Sequence, residues 1–413
     1  MSKKRVVITG LGLVTSFGQD AHAVWTKILA AENGINTIQK FDTSEFPVHI
    51  GGEIVDFDLA EYGFTVPEVR KMDRFSQFAL AASINAVNDS NIKFESEDRT
   101  RCGVIIGSGI GGMETLEEEH SKLLNKGPRR VSPFCVPKLM GNAAAGNIAI
   151  KFGLQGVNLA LVTACASGAH AVGDALRQVQ NGYADIVIAG GSEAAVTPLA
   201  LASFCSLKAL SRRNDDPAAA SRPFDKDRDG FVLGEGAGMV ILEEYEHAVK
   251  RGAKIYAELA GFGMTCDAYH ITAPHPEGEG AARAMQVAIE DGGATPDQVD
   301  YINAHGTSTP LNDAGETAAI KNVFGDHAYK LSVSSTKSET GHLLGASGGV
   351  EAVFTALACK HQTAPPTRNF VEGEEGLDLD YTPNKPKERE IRYAMSNSFG
   401  FGGHNAALLF KSL

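Results

Sequence analysis

Short continuous apolar runs alternate along the chain with longer stretches in which apolar positions recur every three or four residues, so strands are expected to alternate with helices. The pattern predicts strands at Val6–Gly10, Gly103–Gly107, Ile186–Ala189 and Gly238–Leu242, and helices over Ala21–Ala31, Ser76–Val87 and Ala143–Phe152. A second series predicts strands at Lys254–Gly263, Val299–Ala304, Leu331–Ser334, Tyr393–Asn397 and Ala406–Phe410, with helices over Gly280–Asp291, Ala314–Val323 and Val350–Lys360. Each series opens on a strand, continues as βαβα and closes on two strands. Two similar α/β halves are therefore expected, residues 1–251 and 252–413, whose corresponding loops should meet across a pseudo-two-fold. Sequence identity between them is slight, so one irregular α/β domain remains an alternative.

Within the first series, after Ala143–Phe152, lies an apolar run, Val157, Leu159, Leu161 and Val162, that ends abruptly in Thr163-Ala164-Cys165-Ala166-Ser167-Gly168. Val172, Ala175, Leu176 and Val179 then share one helical face, and Gly182 supplies a stop. Cys165 thus falls on a strand-to-helix turn. Unpaired N–H groups and the positive helix end favour an anion there, so a thiol of lowered pKa is expected. The turn after Leu331–Ser334 is its counterpart in the second half.

Composition narrows the partners. With 413 residues, 43% of them apolar, the chain can bury a large core, and a formal charge of −12 argues against nucleic acid as a general partner. An acidic partner would need a local basic patch. The strand that opens at Val6 is too short for a signal helix and no apolar run reaches membrane-spanning length, so no membrane anchor is expected. Besides Cys165, the cysteines Cys102, Cys135, Cys205, Cys266 and Cys359 are scattered without a C-x-x-C pair, which reads as reduced thiols in a cytosolic setting.

The second half supplies polar loops suited to a thiol. One is Asn303-Ala304-His305-Gly306-Thr307-Ser308-Thr309-Pro310; the other is Thr336-Lys337-Ser338-Glu339-Thr340-Gly341-His342, leading into the small-residue stretch Leu343–Gly349. A thiolate attacks a carbonyl without a metal, but making a carbon–carbon bond needs donors for the developing enolate and oxyanion, and two neutral imidazoles supply them. Zinc is the competing reading of Cys, His and His. The wide separation and hydroxyl-rich surroundings speak against it. A papain-like pairing would bring an Asn partner in place of a second His. The segment Asn397-Ser398-Phe399-Gly400-Phe401-Gly402-Gly403-His404-Asn405 allows close backbone approach, with Phe401 either a gate or a core aromatic. It lacks the Lys-Ser/Thr of a P-loop.

Together VTACASGAHA, NAHGTSTPLND, SSTKSETGHLLGASGG and NSFGFGGHNA closely resemble the β-ketoacyl-acyl-carrier-protein synthases, over nearly the whole chain. The SSTKS-TGHLLGA form and the segment Asp227–Gly238 look most like the synthase II branch, the elongating enzymes of dissociated fatty-acid synthesis in bacteria and organelles. The resemblance implies the thiolase fold, an αβαβα sandwich built from two similar βα halves, a homodimer, no cofactor and no metal, and a cytoplasmic, stromal or matrix location. It implies Cys165 as the nucleophile acylated from acyl carrier protein, and His305 and His342 as the pair that binds malonyl thioester and stabilises its enolate. Lys337 would shape the site's electrostatics with Glu351 as its carboxylate partner. The N–H groups of Cys165 and Phe401 would form the oxyanion hole, with Phe401 as a gate. Thr307 and Thr309 would bind pantetheine, and Ile110 with Phe204 would bound the acyl pocket.

Candidate docking residues for the acidic carrier protein are Arg70, Lys71 and Arg74, with Lys208, Arg212 and Arg213 as a second cluster. Glu339 stands where many relatives carry an uncharged residue, and His404 where Thr is common. Cys165 argues against the non-condensing relatives that carry Gln there. A stand-alone polyketide ketosynthase and a non-catalytic chain-length partner subunit remain the alternatives.

Overall fold

The computed structural model describes residues 3–413. Its main sheet contains β1 (Val6–Val14), β2 (Cys102–Gly107), β3 (Asn158–Leu161), β4 (Ile186–Glu193), β5 (Gly236–Glu244), β6 (Ala257–Cys266), β7 (Val299–Asn303), β8 (Ser332–Ser334), β9 (Tyr393–Gly400) and β10 (His404–Lys411). They hydrogen-bond in the order β8-β7-β9-β10-β6-β1-β5-β4-β2-β3. Only Val7 with Glu258 and Ile8 with Ala257 pair β1 to β6, so the array is two five-stranded sheets joined at a short seam. Ladder directions match: β3, β2 and β4 run parallel with β5 and β1 antiparallel, as β8, β7 and β9 run parallel with β10 and β6 antiparallel.

Six helices complete the layers: α1 (Arg74–Ser90), α2 (Ala143–Phe152), α3 (Ser167–Gln180), α4 (Glu279–Asp291), α5 (Pro310–Phe324) and α6 (Ser347–His361). The period-two alternation of the strands sorts them. Val187, Ala189, Val240, Leu242, Leu408 and Phe410 face inward onto α3 and α6, which fill the space between the sheets. Ile186, Ile188, Met239 and Ile241 face outward onto α1 and α2, and Ile302, Val333 and Leu409 outward onto α4 and α5. Both faces of each sheet are covered, which is why the strands read as unbroken apolar runs. Buried leucines and phenylalanines of this kind each stabilise by about 1.5–3 kcal/mol.

The same packing device appears in each half. A Cβ on Gly12 of β1 would stand 1.9 Å from the Ala82 carbonyl of α1, and one on Gly263 of β6 2.0 Å from the Ala284 carbonyl of α4. Each outer helix thus lies directly on its sheet's seam strand. Asp73 starts α1 by accepting the Phe75 N–H, and Asn91 in the left-handed region ends it.

The apolar run Val157–Val162 forms a short edge strand at Asn158–Leu161, with Leu159 41% and Val162 62% exposed. Helices at Met113–Lys126 and Pro198–Ser206 were not expected, although Met113, Leu116 and Leu123 share one face of the first.

Candidate active site

The two inner helices begin in the same way. Ala164 (φ 50°) and Leu344 (φ 48°) each take the left-handed conformation that costs a non-glycine residue about 1–2 kcal/mol. In the first elbow Ser167 Oγ accepts the Thr163 N–H at 2.8 Å and donates to the Ala164 carbonyl at 2.7 Å; in the second, Ser347 Oγ accepts the Leu343 N–H at 3.0 Å. In this register Cys165 corresponds to Gly345. The backbone counterpart of the Cys165 turn is thus the elbow at Leu343–Ser347, which the short helix Lys337–Thr340 separates from the expected turn after Leu331–Ser334.

Cys165, His305 and His342 line one cavity of about 540 Å³. The imidazole centroids lie 5.3 Å apart with the rings nearly perpendicular. His305 follows β7, where Glu316 on α5 accepts the N–H groups of His305 and Gly306 at 2.8 Å each and that of Asn397 Nδ2 at 3.1 Å. His342 Nδ1 lies 3.0 Å from Ser347 Oγ, which accepts the Leu343 N–H; in the tautomer in which the serine proton goes to Nδ1, the ring carries its own proton on Nε2. Burial, then the charge of Lys337, holds both imidazoles well below the usual histidine range. They are neutral N–H donors at physiological pH.

Lys337 and Glu351 form a fully buried ion pair behind the histidines. Burial pushes the Glu351 carboxyl up to about 7 against the pull of Lys337. Burial also pushes the Cys165 thiol up to about 12; Lys337 and the N–H groups of Phe401 and of Cys165 itself oppose it, while Glu193 reinforces it. The expectation of a lowered thiol pKa from the helix end is corrected here. Desolvation outweighs the helix, and the free site holds a protonated sulfur.

The turn between β9 and β10 brings Phe401 to the sulfur. Gly402 (φ 85°) and Gly403 (φ 75°) make the turn, and Gly400 passes so close to the first elbow that a Cβ on it would lie 2.6 Å from the Thr163 carbonyl and 3.1 Å from the Cys165 nitrogen. Two backbone donors, those of Cys165 and Phe401, thereby face one point.

Thr307, Thr309, Ile110, Phe204 and Lys208 also line the cavity. Thr307 and Thr309 hydroxyls are 2.9 Å apart, and Phe204 packs edge-on against Phe231, which in turn meets His342. Arg70, Lys71 and Arg212 are exposed outside the cavity. Arg213 is held by the Asp227 carbonyl and Asp229. Arg74 is corrected as a docking residue: it donates to the Ile54 carbonyl at 2.6 Å, pairs with buried Glu235 at 3.8 Å and lies over the Phe78 ring. Sequence reading missed Glu316 and Glu193. Glu316 lies two turns into the helix after His305 and Glu193 ends the strand that begins with the apolar run Ile186–Ala189, but neither position carries a motif.

A thiol at the mouth of a buried helix, faced by two neutral imidazoles at the junction of two repeated α/β halves, defines an acyl-transferring enzyme of the thiolase fold. The family model described as the β-ketoacyl synthase N-terminal domain matches residues 3–248, and that of the C-terminal domain residues 256–371. The chain belongs to the β-ketoacyl synthase family. It is 53% identical to a 3-oxoacyl-[acyl-carrier-protein] synthase 2 of Synechocystis sp., covering 100% of this chain and 99% of the relative. It is 51% identical to one of Coxiella burnetii with the same coverage. Among solved structures, a ketosynthase bound to the hexaketide in complex with its type II PKS acyl-carrier protein superimposes with a TM-score of 0.93 at 35% identity, covering 100% of both chains.

Proposed function

We propose that this enzyme lengthens fatty acyl chains by two carbons through decarboxylative condensation of malonyl-acyl-carrier protein with an acyl group carried on Cys165. The convergence of Cys165, His305 and His342 on one cavity carries the reading. In the first half-reaction the sulfur attacks the acyl thioester carbonyl and the pantetheine sulfur leaves, taking up the proton that Cys165 gives up. The N–H groups of Cys165 and Phe401 hold the oxyanion. In the second, the malonyl C–C bond breaks, CO₂ leaves, and the electron pair becomes an enolate that the two imidazole N–H groups stabilise. The enolate carbon then bonds to the acyl carbon, the C–S bond breaks, and the Cys165 thiolate recovers a proton from solvent.

Neutral rings suit this role because they donate without an acid strong enough to quench the enolate by protonation. Burial, then the charge of Lys337, keeps them neutral, Glu351 pairing that lysine, and Thr307 and Thr309 at the mouth bind the pantetheine arm. On this reading the half comprising residues 1–251 brings the acyl acceptor, and that comprising 252–413 the histidines.

The carrier docks on Lys208 and Arg212 beside the mouth, with Arg70 and Lys71 as a second contact; it is the acidic partner that so acidic an enzyme can attract only through local basic patches. A homodimer is supported by the unpaired outer edge of β3, with exposed Leu159 and Val162, the latter 3.9 Å from where a Cβ on Gly141, next in sequence to exposed Met140, would stand. The relatives named above are bacterial, which suits a cytoplasmic location. Among the described residues no helix is long and apolar enough to cross a membrane.

Mass spectrometry after incubation with acyl-carrier-protein thioesters tests the reading. An acyl adduct on Cys165, discharged by malonyl-carrier protein with release of CO₂, is expected. No adduct, or one on another cysteine, would refute it and favour a non-catalytic partner subunit.

A further inference from the structure

Glu193 closes β4 with a fully buried carboxylate that no step of the proposed reaction uses. Its Oε1 accepts the Ser108 hydroxyl at 2.9 Å and the Ile110 N–H at 3.2 Å; its Oε2 accepts the Gly109 N–H at 2.7 Å and the Gly345 N–H at 3.0 Å. With two donors on each oxygen the carboxylate is saturated. Three of those donors belong to the loop that carries Ile110, and the fourth to the elbow that follows His342. The thiol elbow reaches the same place, since the Ala164 carbonyl lies 3.5 Å from where a Cβ on Gly109 would stand. One side chain thus cross-links the acyl-pocket loop to the imidazole elbow, beside the nucleophile.

We infer that Glu193 is a positioning residue that sets acyl-chain selectivity by tying the loop at Ile110 to the elbow at Gly345. The inference rests on the reading of Cys165 as the acylated thiol with Ile110 bounding its pocket. A long chain must displace Ile110, whose N–H shares a rigid carboxylate with the Gly345 N–H, so the displacement loosens a charge-assisted hydrogen bond. A short chain makes no such demand. The carboxylate therefore taxes long chains selectively.

Glutamine separates this role from simple support. Its single carbonyl oxygen can keep the two shorter peptide bonds, from Gly109 and Gly345, leaving its NH₂ facing Ser108 and Ile110. The Ser108 hydroxyl can rotate to accept; the Ile110 N–H cannot. The loss falls on the restraint of Ile110 while the elbow beside His342 keeps its anchor.

The test compares the full-length wild type with Glu193→Gln, measuring acylation of Cys165 from butyryl- and palmitoyl-carrier-protein by mass spectrometry over time, with the KM for each. The palmitoyl-to-butyryl rate ratio should rise about tenfold, the factor expected for one lost charge-assisted hydrogen bond, through a lower palmitoyl KM. A ratio changed by less than about twofold, or both rates falling in equal proportion, would overturn the inference. Ser108→Ala removes one donor while leaving the three peptide N–H bonds to Glu193 in place, though it also frees the Gly111 N–H that Ser108 Oγ accepts at 3.1 Å, and should move the ratio the same way by a smaller factor. It decides the matter if the glutamine variant does not fold, an unchanged ratio counting against. A wild type that forms no adduct on Cys165 would bring down the reading of the thiol and this inference with it; a normal wild-type adduct with an unaltered ratio sinks the inference alone.

Discussion

Gly400→Ala probes the oxyanion geometry with one methyl group. The new carbon would stand 2.6 Å from the Thr163 carbonyl oxygen, where ordinary contact begins near 3.4 Å, so the β9–β10 turn and the first elbow must part by about 0.8 Å. Both obstacles are backbone, so no side chain can swing away to absorb the change. Overpacking of this kind costs about 1–3 kcal/mol of stability. The larger effect is on rate: a donor that must sit about 2.7–3.1 Å from the oxyanion is carried out of range by such a shift, and losing one donor lowers kcat by about 10²–10³-fold. The assay is steady-state condensation from acyl- and malonyl-carrier protein, beside a thermal melt and single-turnover acylation of Cys165. Both half-reactions should slow, because each passes through an oxyanion at the same two N–H groups. A variant with kcat within about threefold of wild type, below the effect of even one weakened donor, would refute the placement of Phe401 in the hole.

Three further outcomes are expected. Ile110→Phe should block acylation by palmitoyl-carrier protein while sparing butyryl-carrier protein; equal rates for both would remove Ile110 from the pocket. Burial holds the Glu339 carboxyl well above its ordinary value of 4.5, so the folded chain keeps a proton that the unfolded chain releases, and stability is lost as pH rises above 4.5. Glu339→Met should therefore raise the melting temperature at about pH 7, by about 1–3 kcal/mol equivalent, and by much less at about pH 4, a pH-independent difference counting against it. Reversing Lys208 and Arg212 to Glu should raise the KM for carrier protein at low salt and much less at high salt, and an unaltered KM would exclude that docking face.

The alternation of elements was legible because the strands apart from edge strand β3 are buried on both faces and the helices packed on them have a coherent inner stripe; Ala143–Phe152 is observed at its expected bounds. Cys165, His305 and His342 were legible because their chemistry is uncommon at strand ends. Glu193 and Glu316 were not, since their partners are peptide N–H groups, which every residue carries and no motif records. The state of the thiol escaped for a related reason. A helix terminus can be read from neighbours along the chain, whereas burial, and the charges of Lys337 and Glu193 that oppose and reinforce its effect, come from segments far away in sequence. Arg74 looked like part of a basic patch because nothing local reveals that Glu235 and the Ile54 carbonyl hold it inside.

The paired elbows have a consequence for how such a molecule can be altered. A side chain on Gly345 would drive its first carbon to 2.2 Å from the Gly109 nitrogen, so the position that mirrors Cys165 is barred to any nucleophile. On the proposed mechanism the duplicated framework consequently houses one reaction chamber and not two, one copy donating sulfur and the other imidazoles. Severing the copies would leave each with half a workshop, and grafting a second thiol would first require rebuilding the loop that walls it off.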